Sequence, residues 1–497
     1  MSEAPKQTTI RTTIPARLDR LRWSPFHTRL VLGLGTAWIL DGLEISIASS
    51  VTAVLTQPDT LSLNSSEVGF IATVYLVGEV VGALVFGRLS DRLGRRRVFI
   101  LTLGVYLVGT GLTAFTLGQG VGWLVFFYAT RFVAGMGIGG EYAAINSAID
   151  EMMPARYRGR VDVRINGTYW AGSILGSFVA LFFLNTLPAD LGWRAAFLTG
   201  PVLALVIIFV RRNLPESPRW LITHGHLEEA ERVVAQIEAV AEQDGQYLAP
   251  VDDGAAITLK PEKQFGYPAL LRSMFRQYPK RSVLGASLMI TQSFLYNAIF
   301  FTYAIVLTQF YGVSSTTVPI YGLAFAVGNL AGPLVLGGLF DSLGRKKMIA
   351  GTYILSGGLL AISAFLFQAG VLTALTQTAA WIVIFFFASA GASAAYLTVS
   401  EIFPVEVRAQ AIAAFFALAQ VAGAIGPLLY GALIGDGTDP TALTIGYLIG
   451  AAIMIAGGLV EVFLGVNAER QPLESITRPL TAVDTSSRQA SGSGQRS

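Results

Sequence analysis

Twelve long apolar runs constrain this chain more than any other feature. They lie near residues 29–55, 67–88, 98–118, 121–145, 165–186, 193–210, 282–310, 316–339, 347–369, 377–399, 409–434 and 441–465, and are numbered spans one to twelve. A helix crossing the hydrocarbon core of a bilayer needs about 20 such residues. Within hydrocarbon only helices and closed barrels satisfy every backbone N–H and C=O. Barrel strands would alternate polar and apolar residues, whereas these runs are continuous, so an all-α membrane protein with twelve transmembrane helices is predicted. Only 13% of the residues are charged, against about 25% in a soluble domain, which is too little to solvate a water-exposed body.

The charges that remain predict an orientation. If the N-terminus is cytoplasmic, the loop after span two places Arg88, Arg92, Arg95, Arg96 and Arg97 on that side. The loop after span four adds Arg156, Arg158 and Arg160, and the loop after span eight adds Arg345, Lys346 and Lys347. The opposite loops carry Asp59, Glu67, Asp190, Asp436 and Asp439. Of 35 lysines and arginines, all but Arg131 and Arg194 fall on the first side, so the positive-inside rule puts both termini in the cytoplasm. Residues 1–28 read as a polar cytoplasmic segment without a cleavable signal. Residues 211–281 read as a cytoplasmic central loop with short helices, one near 227–242, and residues 467–497 as a cytoplasmic tail, largely disordered from about 478. Short loops and the absence of cysteine fit a multi-pass protein of a bacterial inner membrane.

The central loop separates six spans (29–210) from six (282–466), and the halves repeat. Gly87-Arg88-Leu89-Ser90-Asp91-Arg92-Leu93-Gly94-Arg95-Arg96 follows span two, and Gly338-Leu339-Phe340-Asp341-Ser342-Leu343-Gly344-Arg345-Lys346-Lys347 follows span eight. Glu151-Met152-Met153-Pro154 with Arg158 follows span four, and Glu401-Ile402-Phe403-Pro404 with Arg408 follows span ten. Internal repeats of this kind mark secondary transporters, with the solute site near mid-membrane between the repeats.

From the first span to about residue 477 the chain resembles the major facilitator superfamily. Its Gly-x-Leu-Ser-Asp-Arg-x-Gly-Arg-Arg signature is nearly intact at residues 87–96. Pro215-Glu216-Ser217-Pro218-Arg219-Trp220-Leu221 resembles the sugar porter branch, and Gly139-Gly140-Glu141-Tyr142 is more similar to metabolite and organic acid symporters. The resemblance implies the major facilitator fold of two six-helix bundles. It also implies a cytoplasmic gate in which Asp91, Arg95, Glu151, Arg158 and Glu216 of the first half, and Asp341, Arg345, Glu401 and Arg408 of the second, latch the bundles together. A plainer reading is that these groups only fix topology and loop folding.

Charges inside the spans are costly, about 2.5–3.5 kcal/mol each on insertion scales, and usually face the interior with a task. Asp41 and Glu44 in span one, Glu79 in span two, and Arg131 and Glu141 in span four stand out. At 1.5 Å per residue, Asp41 and Arg131 both fall near mid-membrane, where a carboxylate and a guanidinium are expected to pair. Proton-linked sugar porters are similar in placing an Asp in span one and an Arg in span four. The resemblance therefore implies that Asp41 carries a proton with Arg131 as its partner, with Glu44 as the rival site. A static ion pair locking two helices is the alternative. Glu141 could bind a cation, carry a proton or hydrogen-bond within the bundle. The glycines at 135, 137, 139 and 140 suit close helix packing.

Expected solute contacts follow the same resemblance. Gln292, Tyr296 and Asn297 in span seven, Asn166, Trp170 and Ser173 in span five, and Tyr396 in span ten align with or lie beside sugar-binding positions. Amides suit hydroxyl-rich ligands because they both donate and accept. Thr291 replaces one expected glutamine, however, and Tyr169, Trp170, Phe294, Tyr296 and Phe300 could wall a site for a less hydroxylated solute, such as an aromatic or small carboxylic acid. No phosphate-binding Gly-x4-Gly-Lys-Ser/Thr loop occurs, so a primary pump is not expected, nor an enzyme, a cofactor, a metal or a nucleic-acid partner. The expected function is proton-coupled symport of a small polar organic solute (sugar, polyol or organic acid) by a lipid-embedded monomer. An exporter or exchanger of the same fold and a non-transporting solute sensor are the alternatives.

Overall fold

The computed structural model describes residues 9–482, apart from 56, 64, 212–213, 261–265, 301, 314–317 and 435–438. Among the described residues twelve helices are long and apolar enough to cross a membrane. Spans one to six are Pro25–Leu55, Ser65–Leu93, Arg95–Ala114, Val121–Met152, Ala155–Thr186 and Ala189–Arg211. Spans seven to twelve are Pro279–Phe300, Val318–Leu336, Arg345–Gln368, Ala374–Glu401, Arg408–Ile434 and Pro440–Leu464. Spans two, four and ten run past their apolar stretches, so each ends on the acidic motif that follows it in sequence. Span five is interrupted at Thr168, and span seven stops at Phe300 instead of continuing to 310, with a separate helix at Tyr303–Tyr311.

The repeat is structural as well as sequential. Span one packs on span five and span seven on span eleven. Span two packs on four as eight does on ten, three on six as nine on twelve, and three on four as nine on ten. Span three begins at Gly94 (φ 95°) and span nine at Gly344 (φ 107°), the same left-handed position that glycine adopts without a Cβ penalty. Between spans two and four the backbones approach so closely that a Cβ at Gly139 would overlap the backbone of Glu79. This is the small-residue packing expected of the span-four glycines, and it sets the depth and rotation of Glu79.

One face of the molecule carries both ends of the described chain and the basic loops. Strand Ile10–Thr12 pairs antiparallel with Ile257–Leu259, and Leu259 bridges to Ala482. Helix Ile14–Arg20 is tied to helix Leu227–Gln243 by Arg17–Glu238 (2.6 Å) and Arg20–Glu238 (2.6 Å). The N-terminal polar segment thus contributes a strand and a helix to this face. The tail holds a short helix at Leu473–Ile476, and Thr481 donates twice to Glu406 (3.0 and 2.6 Å). Disorder predicted from about 478 is thus corrected as far as residue 482. The remainder of that expected tail lies outside the described residues.

Candidate functional site

A cavity of about 180 Å³ lies between the two bundles. Trp38 of span one, Glu79 of span two, Tyr142 of span four, and Asn166, Tyr169 and Trp170 of span five line it from the first half. Gln292, Ser293, Tyr296, Asn297 and Phe300 of span seven, Tyr396 of span ten, and Phe416 and Gln420 of span eleven line it from the second. Aromatic rings meet across the seam. Tyr142 stacks on Phe416 (4.6 Å between centroids, 27°), and Trp170 faces Tyr296 (5.9 Å). Of the expected solute contacts, Asn166, Trp170, Gln292, Tyr296, Asn297 and Tyr396 all reach this cavity.

Two expected contacts do not line it. Ser173 is hydrogen-bonded to Ser46 (2.7 Å), joining spans one and five where Gly42 and Gly172 bring their backbones into contact. Phe294 points toward Tyr430 of span eleven (6.4 Å). Both lie on spans that line the cavity, but rotation about the helix axis turns them into helix–helix seams. Conversely, Glu79, Gln420, Trp38, Tyr142 and Phe416 line the cavity without having been assigned to it. Glu79 alone carried a sequence signal, as an intramembrane acid.

The expected Asp41–Arg131 pair is not formed. Arg131 is bound by Glu44, and its guanidinium lies over the rings of Tyr75 (4.6 Å) and Phe197 (5.1 Å). Tyr106 (3.0 Å) and Thr110 (3.3 Å) of span three also donate to Glu44. Asp41 instead accepts from the hydroxyl of Tyr142. The reason is one turn of helix. Asp41 and Glu44 share a face by their spacing, but Glu44 is the acid level with Arg131. Asp41 and Glu141 line a small void next to the main cavity, with Trp38 and Tyr142 bordering both. All five intramembrane charges are buried.

On the basic face, ion pairs join the bundles. Arg158 reaches Glu401 (3.3 Å), and Arg345 binds Glu401 (2.8 Å) and Asp341 (2.7 Å). Arg95 binds Glu151 (2.8 Å) and Asp91 (3.0 Å), and Arg408 lies 3.5 Å from Glu151. Asp91 also accepts from the backbone N–H groups of Ala409 (3.3 Å) and Gln410 (2.9 Å) at the start of span eleven, where the helix dipole favours an anion. Asp341 does the equivalent for the N–H of Arg160 (2.8 Å). Glu216 caps span three through Arg95 N (2.9 Å) and Arg96 N (3.2 Å), and burial pushes its carboxyl up from the usual range despite those bonds. The nine latch residues thus form two clusters, each joining the halves: Asp91, Arg95, Glu151, Glu216 and Arg408 in one, and Arg158, Asp341, Arg345 and Glu401 in the other.

Comparisons with known proteins agree with this architecture. The family described as "Sugar (and other) transporter" matches residues 31–480. The niacin transporter NiaP of Acinetobacter baylyi is 28% identical over 93% of this chain and 99% of its own length. A putative niacin/nicotinamide transporter NiaP of Bacillus subtilis is 27% identical, covering 82% and 89%. Among solved structures, the proton:xylose symporter XylE bound to 6-bromo-6-deoxy-D-glucose superposes with a TM-score of 0.75 at 20% identity, covering 91% of this chain and 98% of that one. Repeated bundles, repeated motifs and the match across nearly the whole chain place this protein in the sugar and other transporter family of the major facilitator superfamily: it is an integral membrane transporter, not an enzyme.

Proposed function

We propose that the chain imports a small aromatic carboxylic acid with protons, by alternating access. In this orientation both termini and the latched basic face lie in the bacterial cytoplasm. The observation that carries the reading is the lining of the central cavity. Aromatic rings from both bundles surround it, amides of Asn166, Gln292, Asn297 and Gln420 punctuate it, and no Arg or Lys is among its described lining residues. An apolar cavity of about 150 Å³ holds a benzene ring, so about 180 Å³ suits one six-membered ring with a small polar substituent. The names of the niacin-transporting relatives support an aromatic acid.

Proton coupling is assigned to Asp41. Glu44 is neutralised by Arg131 and held by two hydroxyl donors, which makes it a structural anchor for spans one, three and four. Among the described residues Asp41 has no cation against it, one of its oxygens is buried without a partner, and its donor, Tyr142, stacks on the other bundle. Protonation of Asp41 is therefore read through Tyr142 by the bundle interface. A monomer suffices, since each pair of bundles encloses its own cavity. Gln292 and Asn297, with the likeness in fold to a xylose symporter, support a sugar as the second reading.

Uptake into proteoliposomes tests both readings. Labelled nicotinate should accumulate when an inward proton gradient is imposed and equilibrate when it is collapsed, and xylose should not accumulate. Accumulation of xylose alone would overturn the aromatic-acid reading. Accumulation indifferent to the gradient would overturn proton coupling.

A further inference from the structure

Among the described residues lining the central cavity, Glu79 is the only charged one. Its Oε2 accepts from the Nε2 of Gln420 (2.6 Å), a bond that crosses from span two to span eleven. Its Oε1 is buried and has no partner. A carboxylate oxygen left bare inside a protein is costly, by about 1–3 kcal/mol or more, and here it borders a cavity large enough to hold a ligand. The groups within electrostatic reach are Asp41 of span one, Tyr75 on the same span as Glu79, Arg131 of span four, Tyr169 of span five and Tyr396 of span ten. The one cation among them, Arg131, is already bound by Glu44. Whatever enters the cavity must therefore bring a donor to Glu79.

We infer that Glu79 grips the acid group of the solute through a shared proton, so that a carboxylic acid and one proton enter the cavity as a unit. This deepens the aromatic-acid reading and rests on it. Two carboxylates in contact cannot both stay ionised. One proton between them gives a short O–H···O bond of the charge-assisted kind. The balance is simple: solute carboxylate, Glu79 carboxylate and one proton from solution form a pair with a single negative charge. No other bond is made or broken, and the proton leaves when the acid does. Since Glu79 is tied to Gln420, the same event loads a link between the halves. This proton is additional to the one assigned to Asp41.

Calorimetry on the full-length protein in lipid nanodiscs, with nicotinate and benzoate as probes, tests the inference. Titrations in buffers of different ionisation enthalpy count the protons taken up. For the unaltered protein both acids should bind with proton uptake, and affinity should fall about tenfold per pH unit between about pH 6 and 8. In Glu79→Gln the amide donates to the solute carboxylate itself. Uptake should then drop by one proton per solute, the slope should flatten, and binding near pH 8 should tighten. On the unaltered protein nicotinamide supplies its own N–H to Glu79, so it should bind with one proton fewer than nicotinate. That comparison stands even if the variant does not fold. Glu79→Gln retaining the full uptake and slope overturns the assignment, as does uptake with nicotinate but not benzoate, which would put the proton on the ring nitrogen. Failure of both acids to bind the unaltered protein is a different result and sinks the aromatic-acid reading itself.

Discussion

Arg131 is held by Glu44, not by Asp41 three residues earlier on the same helix face. Both members of the pair are buried, and two hydroxyls complete the shell of the acid. Breaking such a pair by removing one partner leaves an uncompensated charge and costs about 3–5 kcal/mol. Arg131→Met should lower the stability of the purified protein in lipid micelles by about that amount. Glu44→Gln combined with Arg131→Met should recover more than half of the loss, because neither charge is then left alone. Equal and additive losses for the two single variants and the pair would show that the residues do not interact.

Asp41 has the opposite character: among the described residues its partner is a phenol and no cation lies against it. Asp41→Asn should lower gradient-driven accumulation of nicotinate to the level that the single proton shared with Glu79 can drive, yet preserve counterflow, which needs no net proton movement. Tyr142→Phe keeps the ring stacked on Phe416 but removes the hydroxyl, and should fall between the unaltered protein and Asp41→Asn in accumulation ratio. An accumulation ratio undiminished in Asp41→Asn would move the carrier role to another acid.

These assignments mark where the sequence stopped being informative. Hydropathy and charge placement revealed the twelve spans, because a bilayer imposes length and composition on each segment separately. The latch was legible because its residues recur in both halves at equal spacing. Pairing was not. Asp41 and Glu44 lie on one face, and choosing between them needs the axial level of span four, which no local pattern encodes. Ser173 and Phe294 show the same limit in rotation, since each sits on the right helix and turns away from the cavity. Gln420 and Phe416 reach the cavity only because span eleven packs against span two across the halves, a contact invisible to either half alone.

The latch makes a prediction about conformation. Glu401 receives Arg158 of the first half and Arg345 of the second, so Glu401→Gln weakens both the crossing bond and its support. The chain has no cysteine, which allows a single reporter. Ala413 is buried where span eleven meets Gly87 of span two. A cysteine placed there should react slowly with maleimide and at least tenfold faster in the Glu401→Gln background, since about 1.4 kcal/mol of lost latch energy suffices for that factor. An unchanged rate would favour the plainer reading, in which the layer only fixes loop folding.

Outside the membrane, His224 ends the short helix Pro218–Thr223 and stacks on Trp220 (4.2 Å between centroids, 21°). Burial holds its ring down at about 4, against an unfolded value of about 6.5. Between those values the unfolded chain binds the extra proton, so the contribution is complete above about pH 6.5. It is lost as the pH falls toward 4, by up to about 3 kcal/mol. His224→Phe keeps the aromatic stack on Trp220 and removes the titration. Its thermal midpoint should therefore decline less steeply than that of the unaltered protein between about pH 6.5 and 4, with the two curves running parallel above that range. Curves that stay parallel throughout would mean that His224 is protonated in the folded protein, and that the loop after span six is more open than this packing implies.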